Sequence, residues 1–348
     1  MMLKKTLTIC LLAICALVFS QNKTKKFNIR TVAFYNVENL FDTIHNQRYD
    51  QDRTPTGKDH YTSKVYWDKI NHMARVISEI GVSKAKNSPT IMGLAEVENR
   101  TVVQDLLNTK YLKNKGYGII HYDSPDERGI DVAFIYLKRY FKPVSQSKHA
   151  LYLKRSNGKR DYTRDQLLVS GILDGELIHI IVNHWPSRSG GEARSRPGRA
   201  AAAALNVKII DSLQKINPKA KIITMGDLND DPISPSLKKV LKTVGVKSKL
   251  KQKSMFNPME SLFKNGNGTL NYRDNLNLFD QIIISAPFVS KDYSSYRFYS
   301  ANIYNPSYII SKEGRYKGYP FRSYSYSNYM GGYSDHYPVY IYLIKEKK

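Results

Sequence analysis

Asp227 and Asn229 stand two residues apart where an apolar run, Ala220 to Met225, breaks off into Gly226-Asp227-Leu228-Asn229-Asp230-Asp231. Such a run reads as a buried strand. Gly226 permits a tight turn, and side chains two apart on an extended chain point the same way, so a carboxylate and a carboxamide share one face. An ionised aspartate only accepts hydrogen bonds, whereas asparagine both donates and accepts. One can therefore orient a water while the other holds an anionic oxygen. That division of labour suits hydrolysis of a phosphate ester. Taken alone, Gly-Asp-x-Asn is also what an ordinary strand ending in a polar turn looks like.

The same pattern recurs along the chain. Gly331-Gly332-Tyr333-Ser334-Asp335-His336 runs into the apolar strand Tyr337 to Ile344, which puts an acid and an imidazole at a strand mouth. Asp280 leads into Gln281-Ile282-Ile283-Ile284, His184 follows a strand in Asn183-His184-Trp185-Pro186, and Glu96 ends Leu94-Ala95-Glu96. With Asn36 in Ala33-Phe34-Tyr35-Asn36-Val37-Glu38-Asn39, these motifs in this order resemble the endonuclease/exonuclease/phosphatase superfamily. That superfamily includes pancreatic deoxyribonuclease, abasic-site endonucleases, bacterial sphingomyelinases and inositol polyphosphate 5-phosphatases. The resemblance covers roughly residues 28 to 345.

The resemblance implies an α/β (α+β) fold, a four-layer αββα sandwich of two mixed β-sheets packed face to face with helices outside. It implies that Glu96 holds a Mg²⁺ or Mn²⁺ with Asn36 and Asp335 close by, and that Asp227 orients and deprotonates the attacking water. It further implies that Asn229, His184 and His336 hold phosphoryl oxygens, and that Asp280 orients His336. In deoxyribonuclease-like relatives an acid from the region of residues 117–136 orients the first catalytic histidine, and Asp131 is the expected partner of His184. A hard oxygen site of one or two carboxylates plus waters is how Mg²⁺ is commonly held. No His/Cys cluster with zinc spacing competes with it.

These residues need elements to position them. Asn28 to Tyr35 reads as a first strand ending at Asn36, and His45 to Lys64 as a surface loop. From Val65 to Ile80, Ile70, Met73, Ala74, Ile77 and Ile80 recur at helical spacing before Gly81. A strand over Thr90 to Ala95 delivers Glu96, and Asn99 can cap a helix through Leu107. Strands are expected over 117–122 and 131–136, around the turn-rich Asp123 to Gly129, and over 166–173 and 177–182, with Asp174-Gly175 as a hairpin turn. Ser187 to Arg199 reads as a flexible basic loop feeding a helix over Ala200 to Ile216. Its arginines, Arg188 and Arg199 among them, suit phosphate oxygens. Tyr293 to Tyr333 reads as a long loop crowded with tyrosines and carrying Arg297, Arg315, Lys317 and Arg322. It could stack bases while holding phosphates, or cover a sheet edge.

Met1 to Ser20, with Lys4 and Lys5 before the apolar run Leu7 to Phe19, reads as a cleaved secretory signal peptide. Both cysteines, Cys10 and Cys15, lie inside it, so the mature chain is expected to use neither disulfides nor thiol chemistry. Residues 21–27 read as a linker and 28–348 as a single catalytic domain, with no membrane anchor or protein partner implied and a monomer expected. The formal net charge of +24 over 348 residues favours polyanions. The expected protein is a secreted or periplasmic metal-dependent phosphodiesterase, an endonuclease acting on DNA or RNA. The alternatives are an enzyme acting on lipid headgroups or small phosphoesters, and a non-catalytic polyanion-binding protein.

Overall fold

The computed structural model describes residues 25–45, 51–272 and 274–347. The expected signal peptide and most of the linker lie outside the described residues. Among the described residues, no helix is long and apolar enough to cross a membrane.

Twelve strands make two sheets. In chain order they are β1 (Phe27–Leu40), β2 (Ile91–Val97), β3 (Tyr117–His121), β4 (Asp131–Leu137), β5 (Phe141–His149) and β6 (Gln166–Leu173). There follow β7 (Glu176–His184), β8 (Ile222–Asp227), β9 (Met255–Phe256), β10 (Asp280–Ser285), β11 (Arg297–Ile303) and β12 (Val339–Glu346). The first sheet has the order β11-β12-β1-β2-β4-β3 and the second β9-β10-β8-β7-β6-β5. Both are mixed, since β1 pairs parallel with β2, and β7 with β8, while their other pairings are antiparallel.

Side-chain alternation builds the layers. On β1, Val32 and Phe34 point between the sheets, where they meet Val182, Met225 and Ile282 of the second sheet. Ala33 and Tyr35 point the other way, against helix α1 (Ser63–Glu79), which contributes Ile70, Met73 and Ile77, and helix α2 (Arg100–Asn108), which contributes Val103 and Leu106. The far face of the second sheet buries Ile181, Ile222 and Ile283 under helix α3 (Glu192–Ile216). The result is the four-layer αββα sandwich. Gly93 lets the sheets approach closely, since a Cβ there would sit 3.0 Å from both Met225 Sδ and Val182 Cγ1.

β1 runs past Asn36 to Leu40, β5 and β9 have no counterpart in the sequence reading, and two further stretches differ from it. Helix α3 begins at Glu192, so most of the expected basic loop is helical, with Pro197 inside it. An early proline removes only one helical hydrogen bond, and the run of alanines beyond it propagates the helix. The tyrosine-rich stretch is not one loop. It holds β11 and a short hairpin pairing Tyr324–Ser325 with Asn328–Tyr329, and Tyr296, Tyr324 and Tyr333 are buried.

Candidate functional site

Strand register brings distant residues to one level. Asp227 ends β8 opposite His184 on its parallel neighbour β7 and opposite Asp280 on its antiparallel neighbour β10. On the first sheet Asn36 pairs with Ala95, which places Glu96 next along β2. Asp335 and His336 lie just before β12, whose Val339 pairs with Phe34. Both sheets therefore deliver their polar ends to the same edge of the sandwich.

There the side chains form one continuous line. Arg128 Nη2 lies 3.4 Å from Glu96 Oε1, which lies 3.9 Å from His184 Nε2. His184 Nε2 is 3.7 Å, and His336 Nε2 3.8 Å, from the same oxygen, Asp227 Oδ2. His336 is in turn 4.0 Å from Asp335, which Arg322 meets at 3.2 Å. The spacings around Asp227 are too long for hydrogen bonds and leave room for a shared oxygen atom.

The carboxylate at the centre is well held. Asp227 Oδ2 accepts from Asn36 Nδ2 at 3.1 Å, and Oδ1 from the Asn229 backbone N–H at 3.0 Å. The Asn229 carboxamide donates to Trp185 O at 3.0 Å, which ties the loop after β8 to the loop after β7. Burial pushes the Asp227 carboxyl up to about 6, with His336 pulling against it and Asp280 adding to it. The two histidines are driven apart. Burial and the Arg164 guanidinium hold His184 well below the usual imidazole value, against Glu96. Burial would lower His336 too, but Asp280 and Asp227 outweigh it and raise it well above that value. A neutral and a cationic imidazole thus face one carboxylate.

Backbone strain is concentrated here. Glu38, Asn39, Glu96 and Asn229 all occupy the left-handed region, with φ of 50°, 50°, 65° and 49°. Non-glycine residues adopt it at a cost that the surroundings must offset. Lys69 of α1, with no exposed surface, supports the first two: its ammonium donates to the Glu38 carbonyl and, at 2.9 Å, to Ser323 Oγ. Glu38 accepts from Ser323 N and from Arg322, and burial and Asp335 raise its carboxyl pKa.

Several expected placements are corrected. Asp131 does not reach His184; it accepts from Ser124 N at 2.8 Å and faces His121 Nε2 at 3.3 Å. It opens β4 in the first sheet, whereas His184 ends β7 in the second, and among the described residues no carboxylate bonds His184 Nδ1, which is buried without a hydrogen-bond partner. Arg199 is fully buried, with Nε 2.7 Å from Asp230 Oδ1, because it lies on the core side of α3. Arg188 stacks over Phe279 and donates to Asn229 O and Asp230, so its guanidinium braces the 229–231 loop. Arg322 keeps about half its side chain exposed beside Glu38 and Asp335. Sequence reasoning missed Glu38, Lys69, Arg128 and Arg164 as parts of the site. Glu38 carried a signal, standing two residues after Asn36.

The sequence matches the profile of the Endonuclease/Exonuclease/phosphatase family over residues 31–345. The chain belongs to that family. It is therefore a phosphoesterase of the endonuclease/exonuclease/phosphatase superfamily, whose members depend on divalent metal. Solved structures sharing the fold include an endonuclease/exonuclease/phosphatase family protein from Bacteroides thetaiotaomicron, at 18% identity and TM-score 0.54, with 93% of this chain and 97% of that one covered. D. rerio TDP2 complexed with single strand DNA product matches at 13% identity and TM-score 0.54, over 90% of this chain and 98% of that one. A B. thetaiotaomicron mannosyl-6-phosphatase matches at 18% and 0.51, over 90% and 99%. No curated protein sequence matches the chain.

The residues present fit a hard divalent cation. Asp227, Asp280 and His336 each offer a ligand atom, mutually within 4.8 Å. Asp280, however, is fully buried and bonded to His336, and Asp227 already accepts two hydrogen bonds. Glu96 and Asp335 are the better donors. Oε2 of Glu96 is fixed by the Asn39 N–H at 2.9 Å while Oε1 has only long contacts, with Arg128 and His184, and Asp335 is the most exposed acid of the line. Hard carboxylate oxygens of this kind are what Mg²⁺ and Mn²⁺ take.

Proposed function

We propose that this family member is a secreted or periplasmic phosphodiesterase that hydrolyses nucleic acid by in-line attack of water, with Mg²⁺ or Mn²⁺ held by Glu96 and Asp335 beside Asn36. The observation that carries the hydrolytic reading is the convergence of His184 Nε2 and His336 Nε2 on Asp227 Oδ2, at 3.7 and 3.8 Å. A carboxylate raised to about 6 is poised to take a proton from water near neutral pH. When bound, the cation supplies Lewis-acid polarisation of a phosphoryl oxygen. Asp227, kept in place by Asn36 and by the turn at Asn229, orients and deprotonates the water. His336, as imidazolium, donates from Nε2 to a phosphoryl oxygen and stabilises the charge that develops there. His184, neutral, and the Asn229 carboxamide offer further N–H groups to the other oxygens. Asp280 keeps the proton on His336 and fixes its ring.

The net charge of +24 supports a polyanionic substrate. So does a groove of about 860 Å³ beside His184, where the cations Arg128, Lys154, Arg155, Arg164 and Arg194 outnumber the acids Asp126, Glu127 and Asp161. The TDP2 structure with its DNA product shares this fold. The second reading is a phosphatase or phosphodiesterase acting on small phosphoesters or lipid headgroups, favoured by the fold shared with a mannosyl-6-phosphatase.

The deciding experiment incubates the purified chain from residue 21 with plasmid, single-stranded DNA, RNA, sphingomyelin, a hexose 6-phosphate and a chromogenic phosphodiester, with and without EDTA. Cleavage of a nucleic acid that EDTA abolishes is expected. Hydrolysis of the sphingolipid or the sugar phosphate with no nucleic acid cut would hand the function to the second reading.

A further inference from the structure

The catalytic line ends at Arg322 and Asp335, and both residues also form the edge of a second groove of about 850 Å³. Ligand sites occupy roughly 300–1,000 Å³. Its character is opposite to that of the basic groove beside His184. Its walls are Tyr272, Tyr316, Tyr319, Phe321, Ile310 and Met330. Tyr272, Tyr316 and Met330 are 41%, 41% and 49% exposed. The rings are nonetheless set in place: Tyr319 donates to Asp274 at 2.7 Å and lies 5.8 Å from Tyr316, and Phe321 packs on the buried Tyr333. Arg315 and Arg322 supply cations at its rim, each beside an acid of the same groove, Asp274 and Asp335.

The scissile phosphate at Asp227 would therefore have an aromatic groove on one side and a basic, hydroxyl-bearing one on the other. A substrate that fits both has a planar apolar ring on one flank of its phosphate and further phosphates on the other. A hexose would have Asn271, Asp274, Ser311, Glu313 and Ser325 for its hydroxyls, so it is an outcome that the test below includes. A lipid headgroup presents no flat ring. A nucleobase satisfies the walls by stacking and leaves its sugar and phosphate at Arg322. A base can enter such a groove only after leaving its own stack and pair.

We propose that the groove formed by Tyr272, Tyr316, Tyr319 and Phe321 receives the unpaired base next to the scissile phosphate, making this protein selective for single-stranded nucleic acid. The inference rests on the nucleic-acid reading above. The basic groove carries the next phosphates on the other side, so cleavage has a fixed polarity with respect to the stacked base.

The test uses labelled single-stranded oligonucleotides of one sequence, the matching duplex, and a series in which one abasic residue is stepped along the strand, with the metal-loaded protein. The single strand should be cut at least about 10-fold faster than the duplex. The abasic residue should lower kcat/KM about 10-fold or more at the one bond beside it and on one side only, as expected when a stacked base is removed. Tyr316→Ala should lower cleavage of the intact strand to a similar extent and make cleavage insensitive to the abasic residue. Tyr316→Phe should keep that sensitivity, which separates loss of stacking from misfolding. Equal losses wherever the abasic residue stands, independent multiplication of the two losses, or a duplex cut as fast as the single strand would each overturn the groove assignment while leaving a nuclease. Metal-dependent hydrolysis of the hexose phosphate with no oligonucleotide cut would overturn the nucleic-acid reading itself, and this inference with it.

Discussion

Asp280 Oδ2 lies 2.7 Å from Nδ1 of His336, in a pair buried on both sides and drawn from residues far apart in sequence. Burial favours the neutral ring, but Asp280 and Asp227 outweigh it and lift the His336 pKa well above the ordinary value. Imidazolium is therefore the form present below that raised pKa, and activity that needs it is lost as pH climbs through it. Asp280→Asn removes the charge but keeps the shape. The alkaline limb of the kcat/KM profile should then move to lower pH, with a rate loss of about 10²-fold at neutral pH. His336→Ala should cost at least as much, and the double variant little more than His336→Ala. Clean multiplication of the two single losses would show that Asp280 does not act through the ring.

Removing the charge of Glu96 should weaken metal binding directly. Its Oε1 faces His184 and Arg128 without a short hydrogen bond, and Arg128, with further help from the histidines, overcomes burial and holds its pKa far below the ordinary carboxylate value. It stays ionised at any working pH. Mg²⁺ or Mn²⁺ should raise Tm in the wild type by mass action, and in Glu96→Gln that rise should shrink together with kcat. The calorimetric affinity should fall at least ~10-fold. An unchanged metal-induced Tm rise in Glu96→Gln would move the metal to other residues.

The motif residues were legible in the sequence because each sits at the end of an apolar run, where alternation and a turn residue announce a strand mouth. Asp227, Asp280 and His184 even share a register level, because β7 and β8 run parallel and end there while β10 runs antiparallel and begins there. Arg199 was not legible. A basic stretch after a histidine looks the same whether it faces solvent or turns inward, and only the helix phase set by an early start at Glu192 puts Arg199 against the core. Asp131 failed for a related reason: its place at the start of β4 was correctly read, but which sheet β4 joins is a tertiary fact. Lys69 carried no signal in the sequence, and the strained turn it supports has no sequence signature beyond its polar residues.

The placements of Arg188 and Arg199 separate two kinds of loss. Arg199→Ala removes the closest counter-charge of the buried Asp230 and leaves it the longer contact with Arg188 and the Ser236 hydroxyl, so the loss should stay below the ~3–5 kcal/mol of a fully broken buried pair. A large fall in Tm is expected, with the salt dependence of DNA binding by an inactive Asp227→Asn background unchanged. Arg188→Ala should cost less stability and lower kcat, because its guanidinium holds Asn229 O and Asp230. Its salt slope should also stay the same. A slope flattened by about one unit in either variant would show a phosphate contact instead.

Lys69 is where core packing and catalysis meet. Its ammonium is fully enclosed under the turn of Glu38 and Asn39, and burial lowers its pKa to about 8 against the pull of Glu38. Through Glu38 the same turn holds Arg322 and Ser323, and through the Glu38 N–H it fixes the Asn36 carboxamide, which in turn bonds Asp227. Lys69→Met keeps the length of the side chain but removes every N–H. The Glu38 carbonyl and Ser323 hydroxyl lose their donor, and Glu38 loses its nearest buried counter-charge. Leaving buried acceptors unpaired costs ~1–3 kcal/mol, so Tm should fall without global unfolding. If the turn only stabilises the fold, kcat measured well below the new Tm should match the wild type. If it positions Asn36 and Asp227, kcat should fall ~10-fold or more with little change in KM. Arg322→Ala should cost less stability than Lys69→Met, since its guanidinium is half exposed. A Lys69→Met variant with wild-type kcat at low temperature would break the link from the buried ammonium to the attacking-water carboxylate.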